Sequence, residues 1–423
     1  DKKKRNEINI ILNINESDIN KDIYFLDNID DIDDECVIKL EHDKLKEMNE
    51  SNTFLYINEI YHKFQKYYRF NKVGEYHIRL KFLFLIKDCG FMFYSCKNII
   101  SIDLSNFDSS NIINMERMFC CCENLSNINL SNLDTNNVKN MQSLFFNCKK
   151  LKSIDLSNFK TKNVINMISF FNGCENLKNL NISNFDVENV TNMNQMFFRC
   201  ISLTNINLSN FVTKNVTNME SMFYNCENLK SLDLSKFNTE KVIDMESMFY
   251  NCQNLNNLNL SNFDTINVKN MDFMFWGCKS LSSLNISQFN TKNVIKMKNI
   301  FTLCENLVSL DLKNFDTKEV TDMSQMFYGC KSLISLNLSN FNTQNVTCMR
   351  SMFYNCESLI FLDISSFNTK NVVDMTFLFR GCVNLSNVKL EKLDTNKVNN
   401  NEYIFFNCLN LFNYFLDNFE KKE

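Results

Sequence analysis

The sequence predicts a solenoid of the α/β class, in which 26-residue strand–turn–short-helix units stack in a right-handed sense behind a small antiparallel β-domain. Three observations predict it: a constant repeat period, an alternating strand pattern and a helical spacing of apolar residues in each unit. Thirteen cysteines of the 423-residue chain carry the period, since the interval between Cys96 and Cys122 recurs without an insertion. They are Cys96, Cys122, Cys148, Cys174, Cys200, Cys226, Cys252, Cys278, Cys304, Cys330, Cys356, Cys382 and Cys408. Such a period is typical of solenoids, in which each unit buries its apolar face against its neighbours.

The unit 226–252 shows the pattern inside one repeat. Leu232 and Leu234 alternate with polar residues, which predicts a short strand with one buried face. From Met245 onward, apolar residues fall at i, i+3, i+4 and i+7, which predicts a helix of about two turns. So short a helix is unstable alone in water, so stacking against neighbouring units must hold it.

Polar residues mark both ends of the predicted helix. Asp244, or an Asn at its place in most repeats, is expected to be an N-cap. The residue before the cysteine, such as Asn251, is Asn or Gly in nine of thirteen cases, which indicates a helix C′ position with positive φ. Less relaxed turns are expected at the four exceptions, Ser95, Cys121, Arg199 and Leu303.

Three apolar ladders are expected to form the core. One phenylalanine stands at the same position in all twelve full repeats, from Phe119 to Phe405. A second aromatic ladder runs from Phe107 to Phe367, and a methionine ladder begins at Met115. The regular recurrence of these side chains favours core packing over a cofactor-binding role.

The block Asn-Val-x-x-Met-x-x-Met-Phe-x-x-Cys-x-x-Leu-x-x-Leu-x-Leu-Ser-x-Phe, from Asn215 to Phe237, resembles the BspA-type leucine-rich repeat. That family occurs in surface proteins of bacteria and protists and in lipoproteins of wall-less bacteria. The resemblance implies a leucine-rich-repeat-like solenoid that binds proteins, with adhesion at a cell surface as one role. Ordinary leucine-rich repeats carry Asn or Cys where Phe237 stands, so the usual asparagine ladder is not expected here.

Residues 1–85 lack the period. Alternation from Ile8 to Ile14 and from Tyr76 to Phe82 predicts antiparallel strands, and the acidic run Asp27–Asp34 predicts a loop. We therefore expect a β-rich capping domain over 1–85, because the end of a solenoid core must be covered. The solenoid is expected over 86–419, with twelve full repeats, partial repeats at both ends and a final strand position from Leu411. Residues 420–423 form a polar tail.

Composition argues against several function classes. The net charge is −4 without a basic block, which favours neither nucleic acid nor an anionic membrane surface. No apolar run is long enough to span a bilayer. The three histidines, His42, His62 and His77, all precede the repeats, so no Cys–His nucleophile pair is expected in the solenoid. The cysteines are not spaced as the ligands of a zinc site usually are. The sequence thus predicts no catalytic residue, metal or cofactor.

The compartment has opposing indications. The cysteine ladder is interpreted as buried free thiols, because equivalent positions on packed helices would lie ~8–10 Å apart, too far for disulfides. Free thiols favour a reducing, cytoplasmic location. Glycosylation sequons at Asn207, Asn259, Asn285 and Asn337 agree, because glycans would crowd on adjacent strands. The family resemblance favours the cell surface instead.

The strand face, formed by the outward side chains of the repeat strands such as Ser231 and Asp233, is small and polar. Phe361 stands in the place of Ser231 and is the exception. We take Phe361 with Asp363, Ser335 and Asn337 as the candidate partner-contact site, although a tolerated surface aromatic is the simpler interpretation.

The sequence therefore predicts a non-enzymatic protein-binding or scaffold protein with an extended repeat surface. A structural spacer without a defined partner is one alternative, and an accessory module of a larger protein with an enzymatic domain elsewhere is another. Two histidines in one pocket of residues 1–85, beside a carboxylate such as Glu59 or Glu75, would favour an enzyme.

Overall fold

The computed structural model describes residues 6–28, 45–389, 396–399, 403–408 and 410–411. The polar tail, His42 and most of the acidic run fall outside these residues. The chain divides into two compact units, Asp1–Val212 and Thr213–Glu423. Each unit contains solenoid coils, which we define as successive 26-residue turns joined by backbone hydrogen bonds. Each is described by itself.

The first unit begins with an antiparallel sheet. Its elements are β1 (Glu7–Ile14), a 3₁₀ turn (Glu16–Asp18), β2 (Asp22–Tyr24), β3 (Thr53–Ile57), β4 (Ile60–His62), β5 (Tyr67–Arg69) and β6 (Gly74–Phe82). β1 and β6 are the two strands that the alternation predicts, and β1 pairs with β6 along its whole length. Their inward residues, such as Ile10 and Ile78, are almost fully buried.

The antiparallel sheet continues into the first coil. β7 (Ile99–Asp103) pairs antiparallel with β1 and parallel with β8 (Asn127–Asn129), so one sheet has the order β4-β3-β6-β1-β7-β8. β1 therefore covers the edge of the first repeat strand. Without that cover, the unpaired N–H and C=O groups of the edge would offer a template for aggregation.

The repeat strands are short and in register. In the first unit they continue as β9 (Ser153–Ile154) and β10 (Asn179–Leu180); the second holds β11 (Ser231–Asp233), β12 (Asn257–Asn259), β13 (Ser335–Asn337), β14 (Phe361–Asp363) and β15 (Asn387–Lys389). Neighbouring repeat strands pair parallel, and each residue lies opposite its equivalent in the next repeat, as Leu232 lies opposite Leu258. Identical positions therefore lie side by side, and the sequence ladders become spatial ladders.

The short helices predicted for each repeat are wrong. In 245–252, every second N–H donates to a carbonyl of the next coil, as Phe249 does to Met274 at 2.9 Å. Of the N–H groups between them, the last three donate three residues back, as Tyr250 does to Ser247 at 3.0 Å, and that of Glu246 donates to the Asp244 side chain. A run of tight turns thus replaces the helix. The fold is a β-solenoid with almost no helix, and among the described residues only 410–411 are α-helical, where a last strand was expected.

Positive φ explains how turns imitate a helical apolar pattern. The position before the cysteine has positive φ as predicted, at Asn251 (56°) and also at the four exceptions. A second column, four residues earlier, has positive φ as well, including Ser247 (55°) and Phe273 (59°). Left-handed residues four positions apart, such as Ser247 and Asn251, bend the backbone at each turn. The apolar side chains at i, i+3, i+4 and i+7 therefore still point inward.

The predicted N-cap residues cap turns. Asp244 Oδ1 accepts the N–H of Glu246 at 2.9 Å, and Asp244 also bridges to Asn270 in the next coil. Lys296 breaks this column, and there the N–H of Lys298 donates to Asp272 Oδ1 at 2.8 Å instead. The sequence therefore predicts the capping side chains correctly, but these side chains cap turns and not helices.

Side-chain ladders hold the coils together. Asn158, one residue before the second aromatic ladder, donates to the carbonyls of Leu130 and Leu133 at 2.8 and 2.9 Å. Thr239 donates to the Asp264 carbonyl and accepts the Asp264 N–H, both at 2.8 Å. Asparagine ladders are thus present next to the position where the resemblance led us not to expect one.

The core contains the predicted aromatic ladder. Phe249 is fully buried and stacks on Phe223 and Phe275, with ring centroids 5.8 and 5.6 Å apart and planes within 10°. The second ladder stacks more loosely, as in Phe237–Phe263 at 6.4 Å. Within each unit the ladders bury an apolar spine, which is the main source of stability in a solenoid.

The cysteine ladder also makes hydrogen bonds. Cys252 Sγ donates to the Phe223 carbonyl at 3.2 Å, and Cys278 donates likewise to Phe249 at 3.1 Å. Burial raises the pKa of the Cys252 thiol to about 12. Cys252 and Cys278 are free, as expected. The helix-spacing argument for this is wrong, however, because hydrogen-bonded coils lie only ~5 Å apart.

Candidate functional site

The structure brings the four predicted contact residues together in the second unit. Ser335 pairs with Phe361, and Asn337 pairs with Asp363, in the parallel register of β13 and β14. Ser335 and Asn337 are exposed and Phe361 is half-buried. We call these four residues the Phe361 patch. Its role as a partner-contact site stays a prediction.

Lys389 completes the patch and was not identified from the sequence. It lies on β15 opposite Asp363, with its ammonium 3.4 Å from Asp363 Oδ2 and 5.4 Å from the Phe361 ring centroid. Asp363 also accepts the hydroxyl and the N–H of Ser365, and these hydrogen bonds lower the pKa of its carboxyl. The patch is therefore an aromatic ring flanked by a fixed ion pair.

An apolar column lies beside the patch. Val308, Ile334 and Ile360 occupy equivalent positions in three hydrogen-bonded coils and are 42%, 48% and 49% exposed. The preceding coils have Lys230, Asn256 and Ser282 at this position, all exposed. We call Val308, Ile334 and Ile360 the apolar column. The sequence does not single out its isoleucines as part of a surface patch, because single exposed apolar residues are common.

A second exposed aromatic feature lies on the turn side of the second unit. Tyr224, Tyr250 and Trp276 stack with centroid spacings of 4.3 Å, which are closer than those of the core ladder. All three are half-buried. Burial and the neighbouring Tyr224 raise the pKa of Tyr250 to about 12. Tyr224 and Trp276 cover the two faces of the Tyr250 ring, so the stack offers a ligand less ring face than three separate rings would.

The first unit contains a pocket of about 540 Å³ on the outer face of β1, β6 and β7. We call it the β1 pocket. Cross-strand pairing builds it: Asn9 lies between Arg79 on one side and Asp103 on the other, and Ile11 lies between His77 and Ser101. The pocket therefore collects different side chains from three strands, whereas the repeats place like beside like.

Arg79 dominates the electrostatics of the β1 pocket. Its guanidinium donates to Glu59 Oε2 at 2.5 Å, lies 3.9 Å from Glu7 Oε1 and covers the Tyr56 ring at 4.2 Å. Its Nε is buried without a hydrogen-bond partner among the described residues. A buried donor of this kind is costly unless a ligand or water satisfies it.

The two histidines in the described part of the chain, His62 and His77, do not form the pair that would favour an enzyme. Within the described residues, the β1 pocket is lined by His77 and Glu59, while His62 packs against Tyr68 with centroids 5.2 Å apart. No cluster of three or more His, Cys, Asp or Glu side chains suited to a metal is found in the described part of the chain. The expected absence of catalytic residues stays a prediction.

The β1 pocket has only a weak signature in the sequence. Asn9, Arg79 and Asp103 are distant along the chain, and β1 joins them by pairing with β6 on one edge and β7 on the other. The available signal was the alternation of both strands, which places Asn9 and Arg79 outward. Strand order was the missing information.

Five overlapping stretches of the chain, 87–205, 146–257, 198–309, 252–360 and 297–419, match the family described as Mycoplasma protein of unknown function, DUF285. The chain belongs to this family. The match covers the repeats and supports the sequence interpretation of a repeat family with wall-less bacterial members. The family description assigns no activity to the repeats, and the BspA-type assignment remains a resemblance.

No curated protein matches the chain. Among solved structures, a chain in "Crystal structure of TLR13-ssRNA13 complex" matches 77% of this chain with 17% identity and a TM-score of 0.27. The matched region is 55% of that chain, so this DUF285 protein spans about half its length. A TM-score this low carries no argument about fold or ligand. Separately, the described residues include no helix that is long and apolar enough to cross a bilayer.

Proposed function

We propose that this DUF285 chain is a non-enzymatic protein-binding scaffold that engages another polypeptide through the strand face of its repeats. The observation that carries the proposal is the apolar column beside the Phe361 patch. Its three side chains stand in three successive coils, at a position that is polar in the three preceding coils of the second unit. A contiguous exposed apolar patch bordered by polar groups is typical of interaction sites.

The composition of this surface favours a protein as the partner. Ile334 and Ile360 supply apolar area, Phe361 supplies an aromatic ring, and the Asp363–Lys389 ion pair forms a polar border. Phe361 pairs in register with Ser335, whose side chain is small and exposed. A partner side chain placed there would contact Phe361 without displacing Lys389.

The flanking charges do not select a strongly charged partner. Asp363 and Lys389 neutralise one another, and the neighbouring Asp311 pairs with Lys313 at 3.1 Å. Association should therefore depend weakly on salt and strongly on apolar contact. Nucleic acid is disfavoured as a partner for the same reason, since phosphate binding requires unpaired cations. Cell-surface adhesion is one role that such a scaffold could have.

A double variant tests the proposal. Ile334→Lys with Phe361→Ser replaces the apolar centre by residues that the same columns carry in other coils, as at Lys230 and Ser231. Cross-linking and affinity capture under reducing and oxidising conditions should recover a defined partner with the original chain, and at least tenfold less of it with the double variant.

The control is Ile243→Lys, which adds the same charge at another exposed isoleucine (46% exposed) in the second unit. Its partner recovery should equal that of the original chain. Equal recovery by the double variant would contradict the strand-face site. Failure of the original chain to recover any reproducible partner would favour the structural spacer.

A further inference from the structure

The β1 pocket has no role in the scaffold function proposed above. It lies in the first unit, on an antiparallel sheet with cross-strand neighbours of different chemistry. Its volume of about 540 Å³ falls within the range of small-molecule sites. The question is which ligand chemistry its polar groups would accept.

Two polar side chains that line the pocket have no hydrogen-bond partner among the described residues. The Asn9 amide and the Ser101 hydroxyl line the pocket, and no described residue makes a hydrogen bond to either side chain. Asp103 uses one carboxylate oxygen for the N–H of Ser105 at 2.9 Å. The pocket therefore offers two groups that both donate and accept, and an acceptor.

The charges in the pocket argue against a ligand with a large net charge. An anion near Arg79 would also meet Glu59 and Asp103, and a cation near those carboxylates would meet Arg79. Like-charge contacts of this kind are costly in a partly desolvated site. A neutral ligand whose hydroxyl groups both donate and accept meets no such conflict.

Two tyrosine rings lie beyond the pocket lining in the same row of the sheet. The cross-strand order is Tyr61, Tyr56, Arg79, Asn9 and Asp103. Arg79 covers the Tyr56 ring, whereas Tyr61 is 56% exposed and packs against Tyr56 edge-on at 5.9 Å. Tyr61 therefore provides an accessible ring face on β4, two strands from Arg79 in the same row.

We propose that the β1 pocket binds a neutral saccharide. Its hydroxyl groups would donate to the second oxygen of Asp103, form paired hydrogen bonds with the Asn9 amide and exchange a hydrogen bond with the Ser101 hydroxyl. In an oligosaccharide, the apolar face of a second sugar ring would lie against Tyr61. This arrangement gives a hydrogen-bond partner to Asn9, to Ser101 and to the second oxygen of Asp103.

A glycan array of neutral and charged oligosaccharides tests the proposal, followed by titration calorimetry with the neutral sugars that bind. Asn9→Ala should weaken binding at least tenfold, because it removes two hydrogen bonds to the sugar. The affinity should change less than about twofold between about 50 and 500 mM NaCl, because the ligand is uncharged.

Asn127→Ala is the matched control, since Asn127 is an exposed asparagine on β8 outside the pocket lining. It should bind as the original chain does, and both variants should keep the original melting temperature. Binding of no neutral sugar on the array would overturn the proposal, as would equal binding by Asn9→Ala. Selective capture of charged sugars with strong salt dependence would also overturn it. None of these results bears on the strand-face scaffold.

Discussion

The N-terminal sheet and the repeat coils use strand pairing in opposite ways. In the sheet, β1 pairs with two strands of unrelated sequence, so Asn9 has Arg79 on one side and Asp103 on the other. In the coils, the repeat register places Leu232 beside Leu258 and Phe249 between two other phenylalanines. Varied neighbours can form a pocket, whereas identical neighbours form a uniform spine.

This difference indicates where function can arise in a repeat protein. The ladders are constrained because each residue must pack against the equivalent residue in the coil before it and in the coil after it. A binding surface on the repeats can therefore arise only where consecutive coils depart together, as Val308, Ile334 and Ile360 do. The N-terminal sheet is free of that constraint. Substitutions in the sheet and in the coils should therefore have different effects on stability.

The largest effect is expected from removing a ladder ring. Phe249→Ala should lower the free energy of unfolding by about 3–5 kcal/mol, because the fully buried ring leaves a cavity between two stacked partners. Chemical denaturation measures the loss. An unchanged midpoint would refute a stabilising role of the ladder. Hydrogen exchange should show reduced protection in the neighbouring coils of the second unit.

The counterpart in the N-terminal sheet is Ile78→Ala, which truncates a fully buried residue of β6. It should cost about 2–4 kcal/mol, with lost protection confined to β1, β3 and β6. Chemical denaturation and hydrogen exchange measure both effects. Loss of protection along the coils of the second unit in this variant would contradict the distinction between the two regions.

A smaller effect is expected from the sulfur ladder. Cys252→Ala should cost about 1–3 kcal/mol, because it removes the thiol that donates to the Phe223 carbonyl and leaves a small void. Thermal denaturation checks it. Cys348→Ala is the control, because Cys348 is half-buried and stands in the turn-capping column. A cost as large for Cys348 would show that the ladder position has no special role.

A pH-dependent effect is expected where the capping column breaks. Burial raises the pKa of Asp272 to about 6, although the Lys298 N–H that it accepts partly offsets this. Unfolding restores an ordinary pKa near 4. The folded state thus binds the proton more tightly, so this group favours folding most below about pH 4 and loses that contribution as pH rises through 6.

Asp272→Asn should therefore gain about 1–2 kcal/mol relative to the original chain between pH 4 and pH 7. Melting temperatures across this range measure the gain. Asp264→Asn, an exposed aspartate that caps a turn, is the control and should show no such trend. A difference between the original chain and Asp272→Asn that is constant with pH would exclude the buried carboxylate as its source.

The smallest effect concerns backbone conformation. Ser247 has φ of 55°, which costs a non-glycine residue about 1 kcal/mol. Ser247→Gly should stabilise the protein by up to about 0.5 kcal/mol, after the larger chain entropy of unfolded glycine is subtracted. Ser247→Ala should give no gain. Denaturation of both variants side by side would show whether the left-handed turn is strained, and a loss with glycine would show that it is not.

Much of this protein could be predicted from its sequence. The period, the inward residues, the positive φ before each cysteine and the strands β1 and β6 follow from local patterns. The helix prediction failed because a 3.6-residue apolar spacing does not specify backbone hydrogen bonding. Tight turns with a left-handed residue at Ser247 and Asn251 satisfy the same spacing.

The candidate sites divide in the same way. The Phe361 patch was predictable, because a known repeat register fixes which residues lie beside Phe361. Lys389 was missed because the sequence does not show that its ammonium group reaches the Asp363 carboxylate. The β1 pocket was missed altogether, because its residues come from strands without a repeat to align them.

The sequence by itself determined the repeat, the composition of the spine and the polarity of the strand face, because a constant period converts positions along the chain into neighbours in space. Only the tertiary structure decided that the turns hydrogen-bond between coils, and that β1 inserts between β6 and β7 to bring Arg79, Asn9 and Asp103 together. Both decisions concern hydrogen bonds between distant segments. A linear pattern of side chains does not specify the partners of those bonds.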